Sequence, residues 1–137
     1  MAVGIDAVAA MAMELPEVTE GERFGRRTWF VDGVAFAWER PFSKADLKRF
    51  GDVVPPREPI LAVSVADLGE KEAVLAATPD SVFTIPHFDG YAAVLIELRK
   101  AGKKQVRELV VDAWLARAPR ALADAFGHSP PQRRNRT

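Results

Sequence analysis

Residues 27–39 read Arg-Thr-Trp-Phe-Val-Asp-Gly-Val-Ala-Phe-Ala-Trp-Glu, and this stretch decides the fold. An Asp-Gly pair between two runs of β-branched and aromatic residues is the strongest short signal for a β-hairpin, because a type I′ turn needs positive φ at both central positions. The turn predicts that Trp29 lies opposite Phe36 in the hairpin. The same register predicts that Arg27 lies opposite Trp38. One face would then carry five apolar side chains, namely Trp29, Val31, Val34, Phe36 and Trp38.

The predicted apolar face of this hairpin has two interpretations. Exposed, its rings Trp29, Phe36 and Trp38 would form a platform on which nucleic-acid bases stack. Buried, they would form the core of a protein that has few other large apolar side chains, and we favour this interpretation.

The segments around the hairpin predict a mixture of helices and further strands. Asp6 is the expected N-cap of a first helix, and Ser43 with Asp46 and Asp67 with Glu70 are expected capping boxes of two more. A fourth helix is expected to begin at Lys103, and strands are expected over residues 60–65, 82–85 and 92–98. The helix over residues 103–117 carries an apolar stripe, which comprises Val106, Leu109, Val110, Ala113 and Trp114. Because hairpins dominate over βαβ crossovers, we predict an α+β domain, a two-layer antiparallel sheet with helices packed on one face.

Length and composition indicate one cytoplasmic domain. A chain of 137 residues and 15.1 kDa fits a single domain, which we expect at residues 1–127, followed by a basic, disordered tail at 128–137. The absence of cysteine excludes disulfides, thiolate zinc sites and cysteine nucleophiles. No uncharged apolar run of about 18 residues is present, and the N-terminus lacks the basic region of a signal peptide. We expect a cytoplasmic monomer without a membrane partner.

The formal net charge is zero, but the charges are segregated along the chain. Acidic residues outnumber basic ones in 1–22 and 50–98, and the reverse holds in 23–49 and 99–137. On one side of the fold, the basic segments would make a phosphate-binding face. The residues predicted for this face are Arg23, Arg26, Arg27, Arg40, Lys44, Lys48, Arg49, Lys103 and Lys104. Alternatively, they pair with the acidic segments and form a mixed, solvated surface.

The loop Pro-His-Phe-Asp-Gly-Tyr at residues 86–91 is the second candidate site. As a hairpin with a two-residue turn, it would put His87 on the same face as Phe83 and Ile85, near Asp89 and Tyr91. His87 would then be a general base or ligand contact in a pocket rimmed by Tyr91. The simpler interpretation is a structural histidine that bonds a backbone carbonyl and fixes the loop.

Familiar catalytic and metal-binding patterns are missing from the sequence. Two histidines without an H-E-x-x-H pattern do not predict a metal site. No G-x-S-x-G or S-x-x-K pattern offers a nucleophile, and Gly102-Lys103 lacks the preceding glycine of a phosphate-binding loop, since Glu97 stands there. We therefore predict no catalytic residue, no metal and no cofactor.

Several motifs together resemble those of the MmcQ/YjbR family of small bacterial proteins. They are Leu15-Pro16, Glu22-Arg-Phe-Gly25, Thr28-Trp-Phe-Val-Asp-Gly33, Phe36-Ala-Trp38, Leu61-Ala-Val63, Asp67-Leu-Gly69, Thr84-Ile-Pro-His-Phe-Asp-Gly-Tyr91 and the helix from Glu108 to Ala118. The resemblance covers residues 6–126. It implies a CyaY-like α/β fold, a layout similar to double-wing DNA-binding modules, and an expected role in DNA binding.

Three functions follow as expectations. The first is a non-enzymatic module that binds nucleic acid, with DNA as its partner. The second is a small-molecule-binding or enzymatic protein with a pocket around His87, Asp89 and Tyr91. The third is a protein-interaction module that uses the acidic region 50–98.

Overall fold

The Asp32-Gly33 turn joins two neighbouring strands of a six-stranded sheet in the computed structural model, which describes residues 3–127. The strands are β1 (Val18–Arg23), β2 (Arg26–Val31), β3 (Val34–Glu39), β4 (Ile60–Ser64), β5 (Val82–Phe83) and β6 (Ala93–Glu97). Their order across the sheet is β1-β2-β3-β4-β6-β5, and each neighbouring pair is antiparallel. Asp32 and Gly33 have φ values of 53° and 74°, as a type I′ turn requires.

Helices in the described part of the chain complete the predicted α+β fold, which is confirmed. They are α1 (Ile5–Met13), α2 (Lys44–Phe50), α3 (Leu68–Ala77), α4 (Lys103–Arg117) and α5 (Arg120–Gly127), with 3-10 helices at Pro86–Phe88 and Leu98–Lys100. The prediction that Asp6 caps α1 is wrong, because Gly4 is the N-cap and Asp6 lies in the first turn. The tail predicted at 128–137 lies outside the described residues.

The larger core lies between one face of the sheet and the helices α1 and α4. The stripe predicted on α4 is confirmed, and its buried members are Val106, Leu109, Val110, Ala113 and Trp114. The indole Nε1 of Trp114 donates a hydrogen bond to the Pro16 carbonyl at 3.0 Å. This bond satisfies the single polar atom of a ring that is otherwise surrounded by apolar side chains.

The predicted register of the β2–β3 hairpin is wrong beyond its first pairs. A β-bulge between Trp29 and Phe30 makes Trp29 pair with Ala37 and Thr28 pair with Trp38. Because one extra residue exchanges the two faces of a strand, Trp38 leaves the face that holds Trp29. Phe36 stays in the larger core, Val34 is exposed, and Trp38 enters a second cluster on the opposite face.

The second cluster is recognised from the alternation along β4. Leu61 and Val63 contact the larger core, whereas Ile60 and Ala62 contact the smaller one, so this central strand is buried on both faces. The smaller core comprises Trp38, Ile60, Ala62, Ile85, Phe88, Ala93 and Leu95, with Ala35, Phe42, Phe50 and Phe83 packed against it. Its cover comes from α2 and the Pro86–Phe88 helix, which leave an opening beside the β1–β2 turn.

Candidate functional site

A pocket of about 550 Å³ occupies this opening. Its walls come from the β1–β2 turn, the end of β3, the segment before α2 and the loop 86–91. Its lining includes the cations Arg23, Arg26 and Arg40, the aromatic residues Phe24, Trp38, Phe42, Phe88 and Tyr91, His87, and one carboxylate, Glu39. The structure therefore brings residues from both sequence-based candidate sites to one place.

The aromatic lining divides into a buried floor and an exposed rim. Trp38 and Phe88 are 9% and 3% exposed, whereas Tyr91 is 47% exposed. The Tyr91 ring centroid lies 6.3 Å from that of Trp38 and 5.5 Å from that of Phe88. These separations fall in the range of favourable tilted aromatic pairs. The three rings form a connected aromatic surface along the pocket.

Two arginines lie over this aromatic surface. The guanidinium carbon of Arg23 is 5.6 Å from the Trp38 ring centroid, and that of Arg40 is 5.6 Å from the Phe88 centroid. Both distances permit cation–π attraction. Arg23 also pairs directly with Arg26 across the β1–β2 ladder, so two like charges face each other at the pocket mouth.

The position of Arg40 is fixed by the start of α2. Its Nη1 donates to Asp46 Oδ2 at 2.9 Å and to the Pro41 carbonyl at 2.6 Å. Asp46 and Ser43 form the predicted capping box, in which each side chain accepts from the other's backbone N–H. Burial by itself raises the pKa of the Asp46 carboxyl, but the Ser43 N–H and the Arg40 charge outweigh it and lower the pKa below the ordinary value.

The loop 86–91 is anchored by a buried lysine of α3. Lys71 is 7% exposed, and its Nζ donates to the carbonyls of Phe88 at 2.6 Å and Tyr91 at 2.8 Å. Burial lowers the pKa of Lys71, while the negative charges of Asp89 and Glu72 act in the opposite direction. The lysine thereby fixes the backbone that carries two of the pocket's aromatic rings.

The hairpin predicted for this loop is wrong. The chain leaves β5 after two residues, and the Phe88 N–H bonds to the Ile85 carbonyl at 2.8 Å as a 3-10 turn begins. His87 is exposed and is not part of the core that contains Ile85, although it still lines the pocket. Asp89 is exposed and is not among the lining residues. Pro86 occupies the first position of the 3-10 turn, where a proline is tolerated because the missing N–H would have no partner within the turn.

Arg27 lies on the other face of the sheet. Its Nε and Nη1 pair with Glu20 at 2.7 Å and Asp6 at 2.9 Å, and its guanidinium lies 5.6 Å from the Trp29 centroid. The hydrogen bond from Arg27 lowers the pKa of Glu20, and the same bond raises the pKa of Arg27. Arg27 therefore holds α1 against the hairpin rather than facing the pocket.

The remaining predicted cations divide between two places. They are all exposed: Lys44, Lys48 and Arg49 on α2, and Lys103 and Lys104 in the first turn of α4. The α2 group adjoins the pocket, because this helix begins directly after the lining residue Ser43. The α4 pair belongs to the helix layer on the opposite face. The predicted basic residues thus do not form one continuous face.

Sequence reasoning missed the Arg23-Phe24-Gly25-Arg26 turn at the pocket mouth. Phe24 and Gly25 have φ values of 55° and 75°, so this is a second tight turn of the same kind as Asp32-Gly33. Phenylalanine is rare at positive φ, and the available signal was therefore only Gly25, between runs that alternate weakly. Phe24 is 95% exposed.

Within residues 3–127, no three His, Cys, Asp or Glu side chains come together as a metal-binding group. The same residues include no helix that is long and apolar enough to cross a bilayer.

The whole fold is similar to that of a Deinococcus radiodurans protein, DR2400, described with a DUF419 domain. The two structures share a TM-score of 0.59 and 16% identity over 94% of this chain and 86% of that one. The YjbR family profile matches residues 13–116, and the chain belongs to this family, which confirms the resemblance seen in the motifs. Uncharacterized proteins of Mycobacterium tuberculosis and Mycobacterium bovis are each 41% identical over 124 residues, covering 88% of this chain and 93% of theirs.

Proposed function

We propose that this protein is a non-catalytic, cytoplasmic nucleic-acid-binding protein, and that the arginine-rimmed pocket with the adjoining α2 helix is its binding surface. The observation that carries the proposal is the convergence of Arg23, Arg26 and Arg40 on one aromatic pocket. Arginine is the side chain best suited to phosphate, because its planar fork donates two parallel hydrogen bonds. Exposed aromatic rings add base stacking to this charge attraction.

The pocket lining favours binding over chemistry. It consists mainly of guanidinium groups and aromatic rings, which attract, orient and stack ligands. Arg40 is already held by Asp46, so it presents its remaining donors in a fixed direction. The α2 cations extend the positive surface beside the pocket and would contact further phosphates. A cysteine-free composition suits a reducing compartment.

The proposal is tested by fluorescence anisotropy with labelled short DNA at low salt. The double variant Arg23→Ala/Arg26→Ala is expected to bind about tenfold more weakly and to show a salt slope reduced by about two, one for each lost phosphate contact. Lys103→Ala/Lys104→Ala is the matched control, since it removes the same charge from the opposite layer and should leave binding nearly unchanged. No binding by the wild type at high micromolar protein, or equal losses in the two variants, would contradict the proposal.

A second candidate function is the binding of a small anionic aromatic molecule. The observation in its favour is the concave shape of the site, since pockets for small ligands commonly measure about 300–1,000 Å³. His87 and Tyr91 would supply polar contacts at the rim, whereas Asp89 does not line the pocket. Thermal-shift measurements with aryl phosphates and aromatic carboxylates should then raise the Tm of the wild type more than that of His87→Ala. No shift in either protein would remove this candidate.

A further inference from the structure

The turn at the pocket mouth contains a side chain that costs stability. Phe24 adopts a φ of 55° and is 95% exposed. The left-handed conformation is unfavourable for an L-residue, and an exposed ring gains little from burial in return. Within residues 3–127, the Phe24 ring forms no stacked or tilted pair with another aromatic ring. Local strain without a packing reason is characteristic of functional positions.

The residues flanking Phe24 add a second local conflict. Arg23 and Arg26 lie directly opposite each other in the β1–β2 ladder, and like charges at such positions repel. Neither forms an ion pair with a carboxylate in the described part of the chain. The backbone around them is nevertheless fixed, because buried Thr28 donates from Oγ1 to the Arg26 carbonyl at 3.0 Å. An anion between the two guanidinium groups would relieve the repulsion.

A nucleotide carries both a phosphate and a flat aromatic ring, and so satisfies both features at once. The pocket beside the turn offers the floor ring Trp38, with Arg23 over it, and the exposed rim ring Tyr91. A base inside a duplex stacks on neighbours on both sides, so it enters a protein pocket only when it is flipped out. A base in a single strand exposes its faces without that cost.

Resting on the nucleic-acid-binding function proposed above, we propose that the pocket takes one unstacked base of a single strand, with Phe24 stacking on the base and Arg23 and Arg26 holding its phosphates. The preferred ligand is then single-stranded nucleic acid rather than duplex. The α2 cations guide the flanking backbone. Phe24 determines this preference, because it supplies a ring and no charge.

Phe24→Asn is the sharpest test of this proposal. Asparagine tolerates positive φ, and Asn-Gly is the preferred pair of a type I′ turn, so the variant should have a Tm equal to or above that of the wild type. By anisotropy, the wild type should bind a single strand at least about tenfold more tightly than the duplex of the same sequence. Phe24→Asn should lose about tenfold in single-strand affinity, since one stacked base contributes about that much, and Phe24→Trp should retain it.

Two further measurements complete the experiment. A 2-aminopurine in the strand should be quenched by the wild type and by Phe24→Trp but not by Phe24→Asn, which reports stacking directly. Val54→Asn is the matched control, because it removes another exposed apolar side chain, 84% exposed and outside the pocket lining, and should bind as the wild type does. Absence of binding to either DNA form overturns the proposed function itself. Equal binding to both forms, or full single-strand affinity in Phe24→Asn, leaves that function standing and overturns the base pocket.

Discussion

Asp46→Ala is expected to lower the free energy of unfolding by about 3–5 kcal/mol, the usual loss when one partner of a buried ion pair is removed. Asp46 is 3% exposed and accepts hydrogen bonds from Arg40 Nη1 and from the Ser43 N–H, both at 2.9 Å. Without the carboxylate, the partly buried guanidinium of Arg40 keeps the Pro41 carbonyl as its hydrogen-bond acceptor and loses its ionic partner. Chemical denaturation at neutral pH measures the loss.

Ser43→Ala separates the ion pair from the helix cap. This change removes the hydroxyl that accepts from the Asp46 N–H but leaves the Arg40–Asp46 pair intact, and losing an N-cap side chain costs about 1 kcal/mol. The difference between the two variants therefore contains the ion pairs of Asp46 with Arg40 and Arg49 and the hydrogen bond that Asp46 accepts from the Ser43 N–H. Equal losses in Ser43→Ala and Asp46→Ala would mean that the pair adds nothing to the cap.

The same pair predicts a pH dependence with a definite sign. The pKa of Asp46 is lower in the folded protein than its ordinary value of 3.8, so the folded state favours the ionised carboxyl. The stabilisation that the ionised Asp46 carboxyl provides is complete at pH values above its ordinary pKa and is lost as the pH falls toward its folded-state pKa. The stability difference between wild type and Asp46→Ala should narrow on acidification below about pH 4. A difference that widens instead would contradict the assignment.

Local signals in the sequence were enough to predict most of the elements. Asp32-Gly33 predicts its hairpin because few dipeptides tolerate two positive φ values, and Ser43 with Asp46 predicts the start of α2 because the two side chains satisfy each other's backbone. The α4 stripe is readable because its period matches that of a helix. Each of these signals lies within a few residues of the feature that it specifies.

The errors arise where distant packing decides the geometry. The bulge beside Trp29 has no sequence mark, yet it moves Trp38 from the helix-covered core to the pocket floor. Phe24 was overlooked because a bulky residue rarely occupies a turn position with positive φ. As a result, the sequence predicts two separate candidate sites, one at the basic hairpin and one at the loop of His87, although residues of both line one pocket in the fold.

Lys71 was also beyond reach of the sequence, because a lysine within a helix ordinarily indicates a solvated face. Its burial depends on a tertiary contact, in which the loop 86–91 packs against α3 and two of its carbonyl oxygens accept hydrogen bonds from Lys71. The loop's shape is set by this contact together with Gly90, whose φ is 75°. The candidate site thus depends on a side chain that contributes no surface to the pocket.

Lys71→Met is accordingly expected to lower the free energy of unfolding by about 2–4 kcal/mol, because two hydrogen bonds from a charged donor are lost and each such bond contributes about 1.5–3 kcal/mol. The carbonyls of Phe88 and Tyr91 keep their backbone donors, the N–H groups of Tyr91 and Ala93. Methionine matches the volume of the lysine stem, so the loss reports the hydrogen bonds rather than a cavity. Lys104→Met makes the same change at an exposed helix position and should stay within about 0.5 kcal/mol of the wild type. Similar effects of both variants would show that the loop does not depend on Lys71.

The pH dependence of the stability difference between the wild type and Lys71→Met provides an independent check that Lys71 is buried. The pKa of Lys71 is lowered from its ordinary value of 10.5, chiefly by burial, so the folded state binds its proton less tightly than the unfolded state does. The free energy of unfolding then rises with pH between the folded-state pKa of Lys71 and its ordinary value, because the unfolded state binds more protons there. A neutral amine still donates two hydrogen bonds, which keeps both carbonyls paired. Denaturation should therefore show a larger stability difference between the wild type and Lys71→Met at about pH 10 than at neutral pH. A difference that is the same at both pH values would mean that the amine stays solvated and that the 86–91 loop is held by its own backbone turns.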